Sequence, residues 1–241
     1  QTPIFVFHLF YFLFPANLWL YGINDLNDED TDEFNSKKEN YESKINEDNK
    51  NQIKEAVYWV GVLGLGLAVS QTLVGFVLIV LYLIIGWGYS SKLIRFKARP
   101  FWDSFSNGLY IIPALLGYFQ SSGSLPPWQL IIAGWCWCAA MHLFSAIPDI
   151  KADKKAKLKT SATVLAEKGS LLVCILLWSI SIVLGGLYGL GWWAIIGVPY
   201  LLTPTLVYLN KVKIFVAYKK FPWINAVVGM SLFCLGVISK L

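Results

Sequence analysis

Charge is what this sequence has least of. Only 15% of its 241 residues are Asp, Glu, Lys or Arg, where a soluble domain carries about a quarter. Histidine and methionine are scarce too, with two of each. The four cysteines, Cys136, Cys138, Cys174 and Cys234, sit inside apolar runs with no CxxC pair and no His at ligand spacing. That argues against a zinc site or a disulfide framework and leaves buried apolar thiols. No basic region and cleavage site flank an apolar stretch, so no signal peptide is read. The chain opens at Gln1 inside an apolar run, so the natural N-terminus is expected to be missing.

Apolar residues are what it has in excess. The chain is 56% hydrophobic and holds 11 Trp, 12 Tyr and 15 Phe. A helix needs about 20 residues to cross the hydrocarbon core. Eight stretches qualify, at about 3–23, 55–71, 74–91, 104–120, 128–147, 170–188, 191–209 and 222–239. The expected fold class is therefore all-α, a polytopic transmembrane helical bundle forming one domain over 1–241.

The few charges are sorted by side. Connectors 24–54, 92–103, 148–169 and 210–221 hold 19 of the 20 Lys and Arg, and only Lys240 lies at the opposite face. By the positive-inside rule the charged connectors are cytoplasmic, in a cell membrane. All fifteen acids lie on that side or within a turn of it.

Two acidic motifs stand out. The first runs Asn24-Asp25-Leu26-Asn27-Asp28-Glu29-Asp30-Thr31-Asp32. In a continuing helix Asn24, Asp28 and Asp32 stack at i, i+4 and i+8, with Asp25 beside them, so one face presents several oxygens. The second is Asp149-Ile150-Lys151-Ala152-Asp153, again with carboxylates at i, i+4. Magnesium takes oxygen ligands and is commonly shared between carboxylates and substrate phosphates. Two carboxylate clusters at one face can thus hold Mg²⁺ ions that neutralise a leaving diphosphate. A solvated acidic loop is the plain alternative for the first motif alone, since it reads on into Glu33, Lys37 and Lys38. A calcium loop starting at Asp28 fails, because Glu33 stands where the turn needs Gly.

These residues resemble a known family. Asn24–Asp32 is similar to the NDxxDxxxD motif of the UbiA-type intramembrane prenyltransferases, and Asp149–Asp153 to their second, DxxxD, motif. Tyr89-Ser90 followed by Arg95-Phe96-Lys97 resembles a YS-x4-R-x-K segment of several branches. Phe14–Gly22, Ser145–Pro148 and the run from Arg99-Pro100 to Asp103, Ser106, Asn107 and Tyr110 look like the carotenoid, lycopene elongase/hydratase branch. The resemblance implies a nine-helix bundle around a central cavity, here expected to lack its first helix. It implies metal ligation by Asn24, Asp28, Asp32, Asp149 and Asp153, with Asp28, Asp32, Asp149 and Asp153 catalytic. It also implies substrate contacts from Asn24, Asp25, Tyr89, Arg95, Lys97, Asp103 and Asn107. The expected activity is Mg²⁺-dependent transfer of a prenyl group from a prenyl diphosphate, dimethylallyl diphosphate in this branch, to a hydrophobic isoprenoid acceptor. Aromatic or glycerol-phosphate acceptors stay open. So does a cation transporter, although transport sites usually sit near the midplane.

Other residues are weighed singly. Asn17, Asp103 and Asn107 lie in or at the edge of spans, where polar groups usually face a cavity. His142, two turns before Asp149, is placed to act on a proton, though a lone His is more often a helix-interface residue. Among the first-span aromatics Phe5, Phe7, Phe10, Tyr11, Phe12, Phe14, Trp19 and Tyr21, only one or two are expected to touch substrate. Five lysines from Lys151 to Lys159 suit anionic lipid or diphosphate. Nucleic acid is not an expected partner, because every basic run is a short loop between spans.

Overall fold

The computed structural model describes residues 3–27 and 47–238, with side chains over 5–27 and 49–237. Among these residues every regular element is helical. The expected first span is two helices, α1 (Pro3–Leu13) and α2 (Pro15–Asn27), with a turn at Phe14. Pro15 has no N–H to continue the α1 ladder. Asn17 Nδ2 donates to Leu13 O at 3.0 Å across the break, so this exposed amide caps a helix and lines no cavity. Because α2 runs on to Asn27, Asn24 and Asp25 are helical rather than in a loop.

Two long helices follow, α3 (Glu47–Val69) and α4 (Leu73–Ser90), joined by a tight turn. A 3₁₀ turn, Phe96–Ala98, leads to the short α5 (Trp102–Phe105), a second 3₁₀ segment, Ser106–Ile111, and α6 (Ile112–Ser122). Gly123, with φ 76°, ends α6 in the left-handed conformation that glycine adopts at no steric cost. Then come α7 (Trp128–Ala146), a 3₁₀ turn at Ile147–Asp149, and α8 (Ile150–Lys155). The last third is α9 (Ser161–Gly185), a wound connection over 186–197, α10 (Val198–Tyr208) and α11 (Ile214–Ile238).

This differs from eight regular spans. Six helical stretches of the described residues are long and apolar enough to cross a membrane. The stretch expected at 104–120 is broken into α5, the 3₁₀ segment and α6. At Gly108 a Cβ would overlap the Trp135 indole, so the chain runs close against α7 there. The stretches expected at 170–188 and 191–209 form one helical run, Ser161–Tyr208, turned by π and 3₁₀ segments rich in glycine. Ala166, at φ 56° and ψ 177°, kinks α9 between its polar start and its apolar length. The helix expected from 222 begins at Ile214, and that extra length matters to the site.

Two buried clusters hold the bundle. One joins Tyr11, Ala16, Ile79, Tyr82, Leu109, Ile112 and Leu116 from α1, α2, α4, the 3₁₀ segment and α6. The other joins Phe144, Trp178, Tyr200 and Phe221 from α7, α9, α10 and α11, where the Phe144 and Phe221 rings lie 4.7 Å apart. Against lipid, helix association rests on close packing rather than on expelling water. Outward-facing apolar residues such as Phe7, Phe10, Phe14 and Trp223 are accordingly exposed. The protein is a multi-pass membrane protein.

Candidate active site: a cavity between the helices with Asn24 in its wall

A cavity of about 960 Å³ opens between the two clusters. Its wall draws on five elements. From α2 come Leu20, Tyr21 and Asn24, and from α4 Gly86 and Tyr89. Asn107 and Tyr110 stand on the 3₁₀ segment. The α7 contribution is Cys138, Met141, His142 and Ser145, which recur at i, i+3, i+4 and i+7 and so share one helical face. The α11 contribution, Phe215, Tyr218, Lys219, Pro222 and Asn225, repeats that spacing.

Asn24 marks the mouth. Its Oδ1 accepts from Ser90 Oγ at 2.7 Å and from Lys97 Nζ at 3.4 Å. The start of the first motif is thus tied to the segment that carries Arg95 and Lys97. Burial lowers the Lys97 pKa from its ordinary value to about 8, and the neighbouring Asp25 carboxylate acts the other way. Arg95 takes a left-handed backbone, φ 50°, to start the turn holding Lys97. Both cations are half-buried, a partly desolvated setting in which an anion binds more strongly than in water.

Asp149 and Asp153 lie one turn apart, across the junction of the 3₁₀ turn with α8. Ser145, in the cavity wall, stands four residues before Asp149. Asp153 Oδ2 accepts from Thr160 Oγ1 at 3.2 Å, and Thr160 also caps α9 through a reciprocal bond with Thr163. Asp28 and Asp32 lie outside the described residues. Among the described residues no group of three or more His, Cys, Asp or Glu side chains is gathered as a metal site. The donors at the mouth are amide and carboxylate oxygens, a chemistry that fits a hard cation such as Mg²⁺.

Not every expected residue reaches the cavity. Asp103, expected in its wall beside Asn107, is 1% exposed and lies outside it. Its carboxylate accepts from Ser104 N at 2.8 Å, from Ser161 N at 2.7 Å and from Ser161 Oγ. It clamps the N-terminus of α9, where backbone N–H groups need acceptors. Asn107 does line the cavity, with Nδ2 donating to Asp103 O at 2.6 Å. Tyr89 OH lies 3.4 Å from His142 Nε2. Of the described first-span aromatics only Tyr21 lines the cavity, while Tyr11 is buried in the core with its hydroxyl donating to Val60 O at 3.4 Å, and Trp19 Nε1 donates to Leu83 O at 3.2 Å. The α11 wall was missed because 210–221 reads as a cationic connector. Its i, i+3, i+4, i+7 spacing is the signal that finds it.

This architecture, a helical membrane bundle around a largely apolar cavity with Asn24 in its wall, belongs to the intramembrane prenyl-transferring enzymes. The chain is a member of the UbiA prenyltransferase family, whose model matches residues 1–216. It is 36% identical over 232 residues to a lycopene elongase/hydratase of Haloarcula japonica, covering 95% of this chain and 77% of that protein. It is 38% identical to one of Halobacterium salinarum, over 94% of this chain and 81% of that protein. Among solved structures, the apo form of a UbiA homolog from Aeropyrum pernix superposes with a TM-score of 0.76 at 17% identity, covering 100% of this chain and 91% of that one. A UbiA homolog from Archaeoglobus fulgidus bound to GPP and Mg²⁺ gives 0.71 at 20% identity, over 95% and 86%. At those identities the likeness speaks to the fold alone.

Proposed function

We propose that the protein transfers a dimethylallyl group from its diphosphate to a carotenoid acceptor, lycopene in the first instance. The observation that supports this most is the similarity to lycopene elongase/hydratases along nearly the whole chain, joined to a largely apolar cavity whose lining residue Asn24 is hydrogen-bonded to Lys97.

In this reading Asn24, Asp28, Asp32, Asp149 and Asp153 hold Mg²⁺ at the cytoplasmic face, and Asp25 lies beside them. The ion, when bound, supplies the positive charge that stabilises a departing diphosphate. Arg95 and Lys97 donate hydrogen bonds to the diphosphate oxygens. Asn24 orients the mouth through Ser90. The allylic C–O bond breaks with its electron pair leaving on the diphosphate. Aromatic faces such as Tyr21 and Tyr89 stabilise the allylic cation, and the apolar walls keep water from it. The π pair of an acceptor double bond then forms the new C–C bond, and loss of a proton from the resulting acceptor cation completes the transfer. Membrane lipid surrounds the exposed apolar faces and is the medium through which the acceptor arrives.

The test is product analysis. Membranes holding the protein, given dimethylallyl diphosphate, Mg²⁺ and lycopene, are expected to form C45 and C50 carotenoids. Transfer to an aromatic acceptor with none to lycopene overturns the acceptor assignment.

A further inference from the structure

His142 is one of two histidines in the chain. It lies in the cavity wall, inside a membrane helix. Its Nε2 is 3.4 Å from Tyr89 OH, and the two rings meet edge-on at 5.8 Å. Asn107 stands against the same tyrosine hydroxyl. The three residues come from α7, α4 and the 3₁₀ segment, so three elements converge on one proton-handling group. An ionisable residue at this depth is costly unless it is used or paired. The metal-side chemistry lies at Asp149, seven residues further along the same helical path. That is a rise on the order of 10 Å. A diphosphate followed by the first carbons of its prenyl group and the attacking alkene fills a span of that order.

We infer that His142 is the proton acceptor that ends the transfer, with Tyr89 as its positioning residue. The inference rests on the prenyl-transfer reading. When the acceptor alkene attacks, the new C–C bond leaves a carbocation on the acceptor. A C–H bond beside that carbon breaks, its electron pair becomes the new double bond, and the proton passes to the neutral imidazole. The resulting imidazolium donates Nε2–H to the Tyr89 oxygen. No oxidant or further reactant is needed. The other titratable groups in the cavity wall are Tyr21 on α2, Tyr110 on the 3₁₀ segment, Tyr218 and Lys219 on α11, and Cys138 on α7 itself. Lys219 is the one cation among the described lining residues, and a protonated amine accepts no proton. A tyrosine or cysteine serves as a base only after losing its own proton, and of the two carboxylates that act on Tyr89, Asp103 is bound to Ser161 and Asp153 to Thr160, which leaves the His142 imidazole as the acceptor.

The experiment measures kcat against pH, at saturating dimethylallyl diphosphate and Mg²⁺, with the full chain in membranes and lycopene as acceptor. Wild type is expected to show an acid limb, with kcat rising as the imidazole becomes neutral. His142→Gln is expected to lose that limb and about 100-fold or more in kcat, with KM for the diphosphate within twofold. Tyr89→Phe, which leaves the ring of His142 intact, is expected to move the limb. A His142→Gln protein with the wild-type rate and profile overturns the inference. So does an unmoved limb in Tyr89→Phe, which is decisive even if the glutamine variant does not accumulate. Wild-type membranes that transfer nothing to lycopene defeat the proposed function instead, so the two failures are distinct.

Discussion

Asn24 and Ser90 are 66 residues apart in sequence and 2.7 Å apart in space. The bond ties the first residue of the N-terminal acidic motif to the last turn of α4, just ahead of the two cations. Ser90 is 1% exposed, so no water replaces it. Ser90→Ala is expected to leave the Asn24 amide oxygen to Lys97 alone and to lower kcat/KM for the diphosphate about tenfold, the worth of a buried polar partner. Initial-rate assays on membranes with matched protein content check this.

Lys97 reaches the same amide oxygen from the basic turn. Replacing it by methionine keeps the aliphatic stem and removes the charge. A charged hydrogen bond contributes about 1.5–3 kcal/mol, so kcat/KM for the diphosphate should fall roughly 10- to 100-fold. Lys97→Arg should retain more activity than Lys97→Met. Equal loss in both variants would mean the stem, not the charge, matters.

Asp103 and Ser161 predict a different phenotype. The carboxylate satisfies two donors of Ser161 at the start of α9. Asp103→Ala strands the buried N–H and is expected to cost about 1–3 kcal/mol of stability. Thermal unfolding in detergent should show the loss, while KM for the diphosphate stays within twofold. A tenfold rise in KM at unchanged stability would return Asp103 to substrate binding.

Gly108 is a packing prediction. A methyl group there would overlap the Trp135 indole, whose Nε1 donates to Phe105 O at 2.8 Å. Gly108→Ala is expected to destabilise the protein by about 1–3 kcal/mol. Combining it with Trp135→Phe, which shrinks the ring, should restore part of that loss in the same unfolding assay.

Much of this was legible in the chain, for identifiable reasons. Apolar runs announce the spans, because the bilayer forbids exposed polar backbone over its thickness. The i, i+4 spacing of Asp149 and Asp153 does place them one turn apart in the structure. The role of Asp103 was not legible, since spacing shows which residues share a helical face but not which neighbour that face meets. Its partner Ser161 is 58 residues away. The α11 wall was hidden for a related reason. Lys219 and Lys220 fall in the stretch read as a charged connector, yet the helix starts at Ile214 and carries Lys219 into the cavity lining. The break at Phe14 was visible as Pro15, and a long apolar run outweighed it.

The central claim is that the two acidic motifs form one diphosphate-handling site. The most direct measurement is C45 and C50 carotenoid formation from dimethylallyl diphosphate and lycopene in membranes carrying wild type, Asp28→Ala or Asp149→Ala, with Mg²⁺ or with EDTA. Wild type with Mg²⁺ should form product, and each variant should form none although it is inserted at the wild-type level. EDTA should abolish the wild-type product. Full transfer by either variant, or by wild type in EDTA, would contradict the account.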